Sequence, residues 1–305
     1  MRHAFIVIVF ALALFRGTNA SALEIMPVTD GVWAIVGPLE QRNPQNLGNN
    51  ATFGVVVTDA GVVLVDPGGS YKGAAAIDGL IKTITDKPVT HVINTGGQDH
   101  RWLGNGYFKE RGAAVIAASP AVEDQKARVE DQFFALTNLI GADALKGTTD
   151  VYAETTFDDA LDLTIGGVEF KLRHIAAAHT PGDSFVWLAD RSVLFSGDII
   201  YVARMLGVGS QSSITTWLDA FNAIKALNPE HIVPGHGPAT TLARAQAETG
   251  DYLQFLRNKI GRIIEDGGSI FDATTIDQSA FSYLEVYEQI KGRNAQQVFE
   301  QMEWE

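Results

Sequence analysis

Cysteine is absent from this chain of 305 residues, which excludes disulfide bonds, thiolate metal sites and cysteine nucleophiles. Positive charge is also scarce, because 23 lysine and arginine residues stand against 36 aspartate and glutamate residues, giving a formal charge of -13. A chain this acidic is a poor partner for nucleic acid or for an anionic membrane surface. Any site chemistry must therefore come from histidine, carboxylate, hydroxyl and amide groups.

No apolar run reaches the roughly 20 residues needed to span a bilayer. Arg2 precedes an apolar run from Ala4 to Phe15, and small residues follow as far as Ala22. This order is typical of a secretory signal peptide. We therefore predict a signal peptide at residues 1–22 and a periplasmic or secreted protein with no stable membrane anchor after cleavage. Its formal charge would be -15, since Arg2 and Arg16 would be lost.

Residues 23–305 are predicted to form a single α/β domain that includes the C-terminal helices. Alternating or continuous apolar patterns predict strands within 25–36 and at 51–58, 62–66, 89–94, 114–117, 161–165, 168–174, 185–188, 192–196 and 231–233. Helical spacing predicts helices at 71–84, 104–111, 120–140, 213–227, 240–266 and within 281–303. Two blocks of strands and helices predict two sheets packed face to face with helices outside.

Glycine and proline mark four loops that each follow a predicted strand. These loops are Thr95–Asn105, His179–Asp183, Ser196–Asp198 and Pro234–Gly237. They carry five side chains of the types that zinc prefers, namely Asp99, His100, His179, Asp198 and His236. We predict that the four loops converge on one metal site.

The other histidines and two further carboxylates are predicted to have structural roles. His91, His174 and His231 lie in or beside strands, which indicates packing or capping. Asp183 follows a Pro-Gly turn and is expected to accept hydrogen bonds from the backbone. Asp66 ends a strand before Pro-Gly-Gly, and we predict that it orients the site loops.

Two segments keep alternative interpretations at this stage. The polar loop at residues 37–50 is a connector or a border of the site, because both are common for loops of this composition. The amphipathic segment at 123–140 is either a cover for the core or a cap over a substrate cleft.

Five motifs occur in the order found in the metallo-β-lactamase superfamily: VVLVDPGGS, INTGGQDH, HTPGD, FSGD and VPGHG. The chain therefore resembles that superfamily over nearly all of residues 23–305. The resemblance implies a four-layer αββα sandwich with a metal cleft at one sheet edge. The predicted export and the ending GRNAQQVFEQMEWE more specifically resemble exported zinc metallohydrolases associated with quinoprotein relay systems and sulfur-oxidation operons.

The first loop of the superfamily reads His-x-His-x-Asp-His, and this chain departs from it. In the alignment that the resemblance suggests, Asp99 and His100 match the last two positions, while Thr95 and Gly97 fall where the first two histidines belong. The three later motifs supply the third histidine of metal site one, the bridging carboxylate and the remaining ligand of site two. These are His179, Asp198 and His236.

The resemblance thus implies one Zn²⁺ ion at the site formed by Asp99, His100 and His236, with Asp198 as a shared ligand. His179 and Asp198 are the predicted catalytic groups that take a proton. An iron-dependent activity is disfavoured, because the histidine pair that would hold iron is missing.

Two functions are compatible with this site. The first is a periplasmic mononuclear zinc hydrolase that cleaves an ester, thioester, lactone or β-lactam bond in a small-molecule substrate. The alternative is a non-catalytic metal-binding or ligand-binding protein, whose partner would be a periplasmic oxidase system.

Overall fold

The computed structural model describes residues 23–304, so the signal-peptide prediction at residues 1–22 lies outside them. Across residues 23–304, no helix is both long and apolar enough to cross a membrane. The described chain forms two β-sheets, and nearly all predicted strands are present within a residue or two of the predicted bounds.

The first sheet has seven strands in sequence order. They are β1 (Glu24–Thr29), β2 (Val32–Val36), β3 (Thr52–Thr58), β4 (Gly61–Val65), β5 (Val89–Asn94), β6 (Ala114–Ala118) and β7 (Thr155–Phe157). The first four strands pair antiparallel, and the strands from β4 to β7 pair parallel. The parallel half places the loop after β5 at one edge of the sheet.

The second sheet has five strands, in the order β12-β11-β10-β9-β8. They are β8 (Ala160–Ile165), β9 (Val168–Arg173), β10 (Phe185–Leu188), β11 (Val193–Phe195) and β12 (His231–Val233). Strands β11 and β12 pair parallel, and this brings the loops that follow them to the same edge.

Nine α-helices connect or cover the sheets in the described part of the chain. They are α1 (Tyr71–Ile81), α2 (Asn105–Lys109), α3 (Ser119–Ile140), α4 (Ala142–Leu145), α5 (Ile214–Leu227), α6 (Leu242–Ala245), α7 (Asp251–Glu265), α8 (Ile270–Thr274) and α9 (Tyr287–Met302). Local signals explain two of the starts. The Ser70 hydroxyl accepts from the Gly73 amide at the start of α1, and Pro120 occupies the first turn of α3.

Three apolar clusters define the layers. One fills the space between the sheets, with Val56, Val65, Phe170 and Phe195 buried in it. A second lies between the first sheet and helices α1 and α2, and a third between the second sheet and helices α5, α7 and α9. The αββα sandwich predicted from the sequence is therefore confirmed.

One predicted helix is interrupted. The segment predicted as continuous from 240 to 266 contains a π-helical turn at Gln246–Gly250, between α6 and α7. The wider turn directs Thr249 at the backbone of Tyr201, with hydrogen bonds of 3.0 Å from the Tyr201 amide and 2.6 Å to its carbonyl. Glu248 accepts from the Ala203 amide in the same segment. Contacts with this remote segment, rather than local propensity, account for the break.

Candidate metal centre

Three buried side chains meet where loops from the two sheets converge. His100 lies in a 3₁₀ turn after β5, Asp198 in a 3₁₀ turn after β11, and His236 in the loop after β12. His100 Nε2 is 3.2 Å from Asp198 Oδ2, and His236 Nε2 is 3.3 Å from Asp198 Oδ1. One ligand atom from each residue lies within 4.8 Å of the others, so this His/Asp/His group could hold a metal ion.

A fully buried arginine stands directly behind the group. Arg101 donates to both Asp198 oxygens, at 2.7 Å from Nη2 and 3.1 Å from Nε, and to Asp66 at 2.9 Å. Burial would raise the pKa of Asp198, but the positive charge of Arg101 and hydrogen bonds from the neighbouring histidines hold that pKa well below its usual range. Asp198 is therefore a fixed anion.

Asp66 supports the same loops, as its position after β4 predicts. Its carboxylate accepts from the Thr95 amide through Oδ1 at 2.8 Å, from the Thr95 hydroxyl through Oδ2 at 2.8 Å, and from Arg101. The loop after β5 is thereby tied to the end of β4.

Asp99 does not join the His/Asp/His group. Its carboxylate pairs with Arg42, whose Nε lies 3.1 Å away and whose Nη2 is also in contact. The positions of Asp99 and His100 in the structure fit a different alignment to the His-x-His-x-Asp-His motif, shifted by one residue from the alignment used in the sequence analysis. In that register Gly96 and Gln98 stand at the first two histidines, His100 at the aspartate and Arg101 at the last histidine.

The proton on the His100 ring is determined by its neighbours. Nδ1 lies 2.8 Å from Arg42 Nη2 and 3.1 Å from Asp99 Oδ1. A guanidinium only donates, so the contact with Arg42 needs an unprotonated Nδ1 and places the proton on Nε2, facing Asp198. In the other tautomer, Nδ1 would donate to Asp99 and leave the Nε2 lone pair free for a metal ion.

His179 lies near the His/Asp/His group without being part of it. Its Nδ1 donates to the Gly207 carbonyl at 2.9 Å, and its ring contacts those of Tyr201 and Trp217. Burial lowers the pKa of His179 to about 4, so the imidazole is neutral near pH 7. With Nδ1 protonated, Nε2 carries a lone pair that can accept a proton or a hydrogen bond.

His236 is held by an aromatic stack. Its ring is stacked on Tyr201 with a centroid separation of 4.4 Å, and its buried Nδ1 has no hydrogen-bond partner among residues 23–304. Burial lowers the pKa of His236 well below its usual range, which keeps the ring in the neutral form that metals bind.

The backbone at Gly96 and Gly97 runs against a filled wall. A Cβ atom at Gly96 would overlap the carboxylate of Asp183, and one at Gly97 would overlap the carboxylate of Asp124. Asp183 also accepts from the Thr180 amide at 2.8 Å, which confirms its predicted backbone contact. Burial raises the pKa of Asp183 to about 8. A histidine side chain therefore has no room at the first motif position.

A cavity of about 390 Å³ opens in front of the group. The residues that line it are Gln41, Arg42, Asn50, Gln98, His100, Leu139, His179, Tyr201, Arg204, Gly207, Gln211, His236, Ile290 and Arg293. The polar loop at 37–50 therefore borders the site, and α3 contributes Leu139 to the cavity wall. The segment at 123–140 also covers the core, because Leu136 and Ile140 are buried in an apolar cluster with Trp102 and Leu103.

Sequence reasoning missed the arginines of the site. Arg101 and Arg42 had signals that could have been used, since Arg101 directly follows the motif and Arg42 lies in the polar loop beside it. Arg204 follows strand β11 by several residues and carries no local signal. Its role depends on packing between loops that are distant in sequence.

The donor set fits one metal ion. Two imidazoles and one carboxylate are a known ligand set for a catalytic zinc that keeps an open position. Arg101 uses one acceptor position on each Asp198 oxygen, and a carboxylate offers about four such positions, so both oxygens can still face the histidines. Asp99 lies where it can accept from Nδ1 of the metal-binding tautomer of His100.

Comparison with known proteins agrees with this architecture. A curated relative, the metallo-beta-lactamase type 2 of Bacteroides fragilis, is 27% identical over 88 residues, which are 28% of this chain and 35% of that protein. The beta-lactamase-like protein 2 homolog of Caenorhabditis elegans is 30% identical over 111 residues, which are 35% of either protein. The matched segments thus span about a third of the length of these relatives.

Solved structures show the same fold at low sequence identity. A metallo-beta-lactamase from Pontibacter korlensis superposes with a TM-score of 0.59 and 20% identity, covering 76% of this chain and 99% of that one. The sec-alkylsulfatase Pisa1 from a Pseudomonas species gives a TM-score of 0.71 and 16% identity, covering 91% of this chain and 50% of that one. Residues 48–236, more than half of the chain, match the family described as the metallo-beta-lactamase superfamily, and the chain belongs to that superfamily.

Proposed function

We propose that this protein is a periplasmic hydrolase that uses one zinc ion held by His100, Asp198 and His236. The observation that carries the proposal is the convergence of these three buried side chains, two of which, His100 and His236, line a cavity of small-molecule size. Membership of a superfamily whose members are mostly hydrolases supports the reaction class. The proposed substrate is a small molecule with an ester, thioester, lactone or β-lactam bond.

One ion is proposed rather than two, for a steric reason. The motif positions that would supply the first two histidines are Gly96 and Gln98, and the carboxylate of Asp183 fills the space at Gly96. His179, the third histidine expected for that site, instead donates to the Gly207 carbonyl through Nδ1. A second ion would thus be coordinated by only one histidine and by Asp198, which it would have to share with the first ion.

The bound ion would lower the pKa of a water ligand and polarise the carbonyl of the substrate. Arg101 keeps Asp198 ionised and oriented. In the tautomer of His100 that would bind the ion, Nδ1 would donate to Asp99. His179 is neutral and has an Nε2 lone pair at the cavity that can take the proton released by the attacking water, although its lowered pKa makes it a weaker base than a free imidazole. Asp198 is the weaker base, because its pKa is held low by Arg101.

Zinc titration of the purified mature chain tests the metal centre. We expect one zinc ion per chain, and we expect His100→Ala and His236→Ala to abolish tight binding. His231→Ala is the matched control, because His231 is the first residue of β12 and lies outside the group. Two tightly bound ions, or retention of zinc by both site variants, would contradict the proposal.

Turnover needs a separate measurement. A panel of β-lactam, thioester, ester and lactone substrates is assayed with zinc-loaded protein, zinc-free protein and His179→Gln. We expect hydrolysis of at least one class, loss of activity without zinc, and a reduced kcat for His179→Gln with zinc content unchanged. Full zinc occupancy without turnover of any class would favour the alternative of a non-catalytic metal-binding protein in a periplasmic oxidase system.

A further inference from the structure

We propose that the cavity binds the carboxylate group of a small organic substrate, and that Arg204 and Arg293 recognise it. The inference deepens the proposed function, because it names the substrate class for the same cavity, and its use in turnover rests on that function. Binding of the anion itself depends only on the arginines and can be measured without a metal.

The charged residues that line the cavity are all positive. Its charged lining residues are three arginines, and among residues 23–304 no aspartate or glutamate lines it. Arg42 is neutralised by Asp99, with which it forms an ion pair. Arg204 and Arg293 have no carboxylate within salt-bridge distance in that part of the chain. The cavity therefore presents two positive charges that no carboxylate contacts directly, although Asp198 and Glu285 act on Arg204 from a greater distance.

Arg204 is buried and is held by hydrogen bonds to the polar loop at residues 37–50. Its side chain is nearly buried, and burial lowers the pKa of its guanidinium to about 10. Nη1 donates to the carbonyls of Leu39 and Glu40, and Nη2 donates to Gln41 Oε1 at 3.1 Å. These three bonds hold the guanidinium in place and leave Nε and one further N–H without a partner in the described chain.

A buried cation with no carboxylate in direct contact is costly, and two free N–H groups on one guanidinium match the two oxygens of a carboxylate. The geometry of Arg204 therefore favours a carboxylate over a neutral polar group. Arg293 reaches the same cavity from α9 and adds a second positive charge.

The other lining residues and the volume of the cavity indicate what the rest of the ligand is like. Leu139 from α3 and Ile290 from α9 form apolar wall, while His100 and His236 lie on the side of the metal group. A volume of about 390 Å³ suits a small molecule. The matching ligand has an anionic carboxylate and a compact apolar body.

Isothermal titration calorimetry with benzoate, and with its neutral isostere benzamide, tests the inference on the metal-free mature chain. We expect the wild type to bind benzoate and to bind benzamide at least tenfold more weakly. Arg204→Gln and Arg293→Gln should each weaken benzoate binding, with about a 10- to 100-fold loss for Arg204→Gln. Benzenesulfonate, whose oxygens are not coplanar, should bind more weakly than benzoate.

Arg262→Gln is the matched control, since it removes the same charge from an exposed position on α7 outside the cavity. Arg204 also donates to loop carbonyls, so Arg204→Gln could disturb the fold around the site. Zinc titration of Arg204→Gln checks that its metal centre is intact. Arg293→Gln is an independent variant that leaves these carbonyl contacts unchanged. Benzoate binding that is unchanged in both cavity variants, or equal binding of benzamide, overturns the inference. Zinc binding without benzoate binding contradicts only this inference. Benzoate binding without zinc binding contradicts only the proposed metal centre.

Discussion

Asp183 is a buried carboxylate whose protonation should be visible in the pH dependence of stability. Burial raises its pKa from 3.8 to about 8 in the folded protein. The folded state thus holds a proton that the unfolded state has lost, so the stabilisation is present below the unfolded pKa and is lost as pH rises through about 8.

Asp183→Asn removes this titration, and its unfolding should be compared with that of the wild type by urea denaturation between about pH 5 and pH 9. The free energy of unfolding of the wild type should fall relative to the variant as pH rises, by up to about 1.4 kcal/mol per pH unit. A difference between the two proteins that is constant across this range would show that Asp183 titrates normally.

At the scale of residues, the loops of the site were predictable and their contacts only partly so. His100, Asp198 and His236 stand after strands at glycine-marked turns, and that local pattern indicates a shared sheet edge. The sequence could not show which of Asp99 and His100 turns inward. That choice depends on Arg42, which comes from a loop more than fifty residues earlier and pairs with Asp99.

At the scale of elements, the π-helical turn Gln246–Gly250 positions the segment that carries Tyr201. Thr249 exchanges two buried hydrogen bonds with the Tyr201 backbone, and the Tyr201 ring stacks on His236. Thr249→Val keeps the shape and removes both bonds, so we expect the free energy of unfolding to fall by about 1–3 kcal/mol.

Chemical denaturation measures this change, and Thr83→Val serves as the control because Thr83 is exposed and makes only a local bond after α1. The control should stay within about 0.5 kcal/mol of the wild type. Equal effects of the two substitutions would mean that the π-helical turn does not anchor Tyr201.

Most elements were predictable because their apolar patterns agree with the burial they acquire. Strand β4 is buried at every residue, and its continuous apolar run is the pattern of a strand covered on both faces. The π-helical turn was not predictable, since its cause is a set of hydrogen bonds to residues 201–203. Local spacing in 240–266 predicts one helix, because the turn contains no proline and a single glycine, Gly250, is tolerated within a helix.

At the scale of the whole molecule, Arg101 connects the two sheets. It donates to the carbonyl of Thr52 in β3 of the first sheet and to that of Gly235 after β12 of the second sheet, at 3.1 and 2.8 Å. Its ion pairs with Asp66 and Asp198 join the loops at the ends of β4 and β11. One side chain thus closes the edge of the sandwich at which the site lies.

Arg101→Met should destabilise the protein by about 3–5 kcal/mol, because it leaves two buried carboxylates without their counter-ion. Urea denaturation measures the loss, with the exposed Arg262→Met as the control for the change of residue type. Adding Asp66→Asn to Arg101→Met should recover part of the stability, since one of the two uncompensated charges is then removed. A loss no larger than that of Arg262→Met would refute the connecting role of Arg101.

Arg101 also affects how folding of the site relates to metal binding. Arg101 balances Asp198 with a charge that is part of the chain, so the ionised form of Asp198 does not depend on a metal ion. If the proposed zinc ion binds, its uptake would then be separate from folding, unlike in small zinc domains that fold only around their ion. On the proposed function, a chelator would remove the hydrolase activity without unfolding the protein, and adding zinc to the same folded molecule would restore it.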